Sequence, residues 1–156
     1  MIKQYLLLAI LLLSSSISLS DPIHTVANLA DLSATAQKNH VPIVVVFESE
    51  NCGYCMRLKQ EILEPLSETI SLQPPTIMEF DIFSSGKITD FNGDRIRSRQ
   101  FKERYQIFAV PTLLILDHEG NPLVDPIVGY NSREEYQALL RSSLFASYDA
   151  LINLKP

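Results

Sequence analysis

IVVVFESENCGYCMRLKQEIL, Ile43 to Leu63, holds both cysteines of the chain, Cys52 and Cys55. Ile43 to Phe47 is a short β-branched run, the composition of a strand buried on both faces. Beyond the cysteines, Leu58, Ile62 and Leu66 recur at helical spacing beside Cys55. The pattern predicts a helix with Cys52 at its first turn and Cys55 on its inward side. A Cys-x-x-C pair between strand and helix admits three chemistries. A structural zinc site needs about four soft ligands, and His24, His40 and His118 are scattered without ligand spacing. No metal is expected, and c-type haem attachment fails because Met56 follows the second cysteine. A structural disulfide gains stability with the length of the loop it closes, and this loop is nearly the shortest possible. A redox couple fits the placement: unpaired N–H groups and the dipole at a helix start favour thiolate at Cys52. Cys55, one turn further in, is spaced to resolve a mixed disulfide formed there.

The first twenty residues bear on compartment. Lys3 supplies a positive charge, Tyr5 to Leu13 form an apolar run, and SSSISLS leads into Asp21. That is the layout of a secretory signal, with Ser18 and Ser20 at the small-residue positions before a cut. The run is far short of the roughly 20 residues that span a bilayer, and no cysteine follows it to carry a lipid. The expectation is cleavage near Ser20, leaving residues 21–156 as one domain in a periplasm or equivalent. The chain is 46% hydrophobic with a net charge of −5 and no lysine- or arginine-rich run. Nothing in it recruits nucleic acid or an anionic membrane surface.

Along the chain, Asn28 with Asp31 marks a helix start, the helix running to about Asn39 before Pro42. Pro65 is expected to kink or end the helix of the cysteines, with a further turn over Ser67 to Leu72. Thr76 to Asp81 reads as a second strand. Asn92-Gly93 signals a tight hairpin within an ordered excursion, Ser84 to Arg97, that shapes partner choice. Ser98 to Tyr105 is a short helix. Pro111 heads an apolar strand, Pro122 to Val128 returns beside it, and Gly129 ends that return. Ser132 with Glu135 caps a last helix over roughly Arg133 to Phe145. The order predicts an α/β fold, a mixed central sheet with helices on both faces.

These residues resemble the thioredoxin superfamily over about Thr25 to Ala146. VVVFESENCGYC stands where that family has its strand and Cys-x-x-C, VPTLLIL resembles its proline segment, and VGYNSREEYQALL its last strand, glycine and helix. The resemblance implies a thioredoxin fold and a cis peptide at Val110-Pro111 lying against the disulfide. Val110, Pro111 and Thr112 would then dock the backbone of a protein substrate. CGYCMRLKQEIL with the Asn-Gly excursion also resembles small exported thioredoxin-like proteins of the SoxW type. Gly53-Tyr54 resembles the pair in periplasmic isomerases of the DsbC type, although their separate N-terminal dimerisation domain is not expected here.

Two departures stand out. Val46 occupies the position of the aspartate that the family buries under its second cysteine, and the chain contains no Trp. Glu48 shares the strand face of Val46, two residues nearer the motif. It is either a solvated loop residue or the acceptor of the Cys55 proton. Tyr54, expected exposed, is either a contact for partner proteins or passive.

The reading is a periplasmic or secreted thiol–disulfide oxidoreductase, a monomer without cofactor, in which Cys52 attacks and Cys55 resolves. Reduction of disulfides in exported proteins is the favoured direction, fed by a membrane thiol-electron carrier of the DsbD or CcdA kind. The alternatives are a disulfide oxidase or isomerase, and a non-enzymatic peptide-binding module with a fixed disulfide.

Overall fold

A computed structural model describes residues 23–25, 28–68 and 74–153. The expected signal segment and most of the expected turn over Ser67 to Leu72 lie outside these residues. Ile43–Glu48 (β2) is the hub of a five-stranded sheet. It pairs in parallel with Thr76–Asp81 (β3) and antiparallel with Thr112–Leu116 (β6), so the sheet is mixed. Outside these lie Ile23–Thr25 (β1), parallel to β3, and Ile127–Val128 (β7), antiparallel to β6. The spatial order is β1-β3-β2-β6-β7.

The β-branched run of β2 is buried on both faces because alternate side chains feed two cores. Val45 and Phe47 join Leu29, Leu32 and Ala36 of helix α1 (Leu29–Asn39) and Phe101 of helix α4 (Ser98–Arg104). Val44 and Val46 join Leu58, Ile62 and Leu63 after the cysteines, and Tyr136 and Leu140 of helix α5 (Arg133–Asn153). Helices therefore cover both faces, the layered solution expected for such a sheet.

Several sequence signals are realised directly. The Asn28 side chain accepts from the N–H groups of Ala30 and Asp31 and caps α1. At α5 the Ser132 hydroxyl accepts the Glu135 N–H at 3.3 Å. That helix runs past Phe145 to Asn153.

Other elements differ from expectation for identifiable reasons. The helix of the cysteines does not stop at Pro65. It runs as α2 (Gly53–Leu58), a π-helical turn (Lys59–Leu63) and α3 (Glu64–Glu68). Proline lacks an N–H and its ring collides with the carbonyl four residues back. The π-turn opens the ladder just before it, with the Glu64 N–H bonded to the Lys59 carbonyl, and the helix carries on. The return strand is only Ile127–Val128 rather than Pro122 to Val128, with one isolated bridge between Leu116 and Pro122. Pro122 and Pro126 each lack an N–H for a continuous ladder.

Asn92-Gly93 does turn a hairpin, between Lys87–Thr89 (β4) and Arg95–Arg97 (β5). The turn is not the two-residue kind. The Gly93 N–H bonds the Asp90 carbonyl, the Asp90 N–H bonds the Asp94 carbonyl, and Gly93 takes φ +88°. That is a type I turn closed by a glycine bulge. The excursion is built into the fold: Ile88 and Phe91 enter the first core, and Arg104 of α4 grips Asp90 through both carboxylate oxygens.

Candidate active site

The β2–α2 junction positions the cysteines. Glu48 ends β2, and the Ser49 carbonyl accepts the Cys52 N–H at 3.1 Å, turning the chain into the helix. Cys52 is the N-cap of α2, and its sulfur accepts the Cys55 N–H at 3.1 Å. Cys52 and Cys55 are joined as a disulfide. Cys52 is half-buried, whereas Cys55 is only 4% exposed. Between them Gly53 is exposed with open space around it, and Tyr54 is 59% exposed. The structure thus leaves one cysteine partly exposed and shelters the other, which is the asymmetry that attack followed by resolution requires.

The proline segment enters β6. The Val110-Pro111 peptide is cis. Pro111 is buried, and its carbonyl accepts the Gly129 N–H at 2.8 Å, tying the segment to the end of β7. Thr112 is buried with its hydroxyl on the Ala109 carbonyl, and Val110 packs against the first core. Phe108, just upstream, is 91% exposed.

Arg57 and Glu61 on the helix of the cysteines form a second anchored feature. The Tyr130 hydroxyl donates to Glu61 Oε2 at 2.6 Å, Arg57 Nε donates to Glu61 Oε1 at 3.0 Å, and the Arg57 guanidinium lies over the Tyr130 ring. Burial and this hydrogen bond push the Tyr130 hydroxyl up to about 12. The Tyr130 and Arg57 bonds hold the Glu61 carboxyl below its usual value. The set ties the helix of the cysteines to the residue after Gly129.

Glu48 is half-buried at the end of its strand rather than in a loop. Burial raises its proton affinity first, then the charge of Glu79, with Lys59 opposing and Asp81 adding. Glu79 is the residue that sequence reading missed. It lies in β3 opposite Val46, is 5% exposed, and accepts a bond from Lys59 Nζ at 2.7 Å. Its second oxygen, Oε1, is buried without a hydrogen-bond partner. Lys59 follows Cys55 by one helical turn, and its N–H bonds the Cys55 carbonyl. The face beneath the cysteines therefore carries a carboxylate after all, one strand over from the position of Val46. Within TIMEFD the only trace of it was a glutamate amid apolar neighbours. Among the described residues no three His, Cys, Asp or Glu side chains form a metal-binding group, and no helix is long and apolar enough to cross a membrane.

Comparison with known proteins agrees with this geometry. A family model described as "Thioredoxin-like domain" matches residues 29–143. Among solved structures, thioredoxin f from spinach chloroplast superposes with a TM-score of 0.55 at 19% identity, covering 80% of this chain and 92% of its own. A poplar wild-type thioredoxin h gives 0.54 at 19% identity, over 78% and 96%. Thioredoxin O2 from Arabidopsis thaliana, in the oxidized state, gives 0.53 at 18%, over 79% and 95%. No curated protein matches the chain.

Proposed function

The chain belongs to the thioredoxin-like domain family, and on that footing we propose that it is an exported thiol–disulfide oxidoreductase that reduces disulfides in proteins. The observation that carries this reading is the Cys52–Cys55 disulfide, with the outer sulfur at the helix cap and the inner one shielded. In the reduced protein Cys52 attacks a partner disulfide, forming a mixed disulfide and releasing one partner thiol. Cys55 then attacks Cys52, re-forming the internal disulfide and releasing the second. Each cycle moves two electrons from the protein to its partner, and a membrane thiol carrier returns them.

Support for export comes from the signal-like residues 1–20. Support for a protein substrate comes from the exposed Tyr54 and Phe108 and from the anchored Val110-Pro111-Thr112 segment, apolar and backbone features suited to an extended chain. The deciding experiment measures the reduction potential of the Cys52–Cys55 couple in a dithiol buffer. A value near the reducing end of the dithiol enzymes, about −270 mV, supports a reductase, and one near −120 mV reverses the direction. A disulfide that resists mild dithiol altogether identifies a binding module instead.

A further inference from the structure

Glu79 is costly where it stands. A carboxylate oxygen buried without a partner forfeits its hydration, and the ion pair to the partly exposed Lys59 engages only the other oxygen. Two of its strand neighbours on this face are apolar: Ile77 on β3 and Val46 on β2 both lie in the second core, with Asp81 beyond at the end of β3. Packing alone would be served by another valine or isoleucine. Lys59, its partner, could instead face Glu48, since the two feel each other's charge.

We propose that Glu79 is a positioning residue for the resolving step, holding the Lys59 ammonium on its own carboxylate so that Glu48 stays free to take the Cys55 proton. This rests on the disulfide-exchange reading above. Glu48 lies at the end of β2, one residue before the carbonyl that seats Cys52, and Lys59 lies one helical turn beyond Cys55. The charged groups facing this cluster are Glu48 from β2, Glu79 and Asp81 from β3, Lys59 from the π-turn and Glu64 from α3. Glu48 takes the proton from Cys55, and the thiolate attacks Cys52 Sγ. The bond from Cys52 to the partner sulfur breaks, and that sulfur leaves with the electron pair and is reprotonated. With Glu79 uncharged, Lys59 turns to Glu48 and makes it a weaker base.

The test begins with the oxidised protein, in which neither cysteine titrates. Carbon-13 NMR follows the Glu48 carboxyl against pH in the wild type, Glu79→Gln and Glu79→Asp. The midpoint is expected to fall in Glu79→Gln and to stay near wild type in Glu79→Asp, which keeps the charge. In single-turnover kinetics at pH 7, Glu79→Gln is expected to slow resolution roughly tenfold, part of what a general base contributes. It should slow Glu48→Gln no further, because both act through one acceptor. An unmoved Glu48 midpoint in Glu79→Gln, or rate losses that multiply in the double variant, overturns the proposal while disulfide exchange stands. Failure of the wild type to exchange disulfides at all overturns the functional reading, and the proposal with it.

Discussion

The backbone N–H of Cys55 lies 3.1 Å from the sulfur of Cys52 and donates to it. A donor aimed at a sulfur favours its thiolate form, and so does the helix start at which Cys52 sits. In the reduced protein Cys52 is therefore expected to be the thiol alkylated at mildly acidic pH, with Cys55 protected by burial. Peptide mapping after brief iodoacetamide treatment reads this directly, and preferential labelling of Cys55 would reverse the roles. Cys55→Ser is expected to accumulate mixed disulfides on Cys52 in extracts of its own compartment.

Glu48 sets function against stability. Burial and the Glu79 charge raise its proton affinity, so its folded pKa exceeds the unfolded value. The stability it contributes is complete below the ordinary carboxylate range, about 4.3, and is lost as pH rises through the folded value. Glu48→Gln should therefore be at least as stable as the wild type at pH 7 in urea denaturation, with the difference closing at acid pH. Stopped-flow kinetics should show slower resolution with the first attack by Cys52 little changed. A variant less stable at pH 7, or resolution unchanged from pH 6 to 9, would remove Glu48 from the mechanism.

The Asp90–Arg104 pair has the opposite sign. The guanidinium holds the Asp90 carboxyl below its usual value, so its contribution is present above the unfolded value and fades as pH falls through the folded one. Asp90→Asn is expected to cost about 1.5–3 kcal/mol at pH 7, the range for a charged hydrogen bond, with the deficit shrinking below about pH 4. Deleting the hairpin outright should unfold the domain, because Ile88 and Phe91 leave the core with it. Partner choice is better tested at exposed positions such as Phe83. Phe83→Ser should leave reduction of a small disulfide intact and slow that of the physiological protein.

Gly120 is a stability hinge remote from the cysteines. It has φ +88°, and an added Cβ would stand 2.5 Å from the Phe91 ring. Gly120→Ala is expected to destabilise the fold by more than about 1 kcal/mol, with a lower Tm and an unchanged reduction potential.

Much of this was legible in the sequence, and the gaps have physical causes. Asn28, the β-branched run of β2 and the Cys-x-x-C spacing carry strong local signals, and each element formed where they placed it. β1 did not show, because Ile23-His24-Thr25 is too short for a periodic pattern and becomes a strand only by pairing with β3. The glycine bulge at Gly93 and the two-residue turn share the same Asn-Gly signature. Glu79 was hidden because its ion pair joins residues from separate elements. Alternation along β3 cannot say that a glutamate lies under a helix rather than in water until the helix is placed.

A π-turn is, in effect, one amino acid inserted into an α-helix. Leu58 and Leu63, five apart, both reach the core, while Leu66 is only half-buried. A gapless alignment of this helix with an ordinary α-helical relative therefore slips by one position beyond Lys59. For any lineage comparison of this chain, a single-residue gap belongs between Lys59 and Pro65.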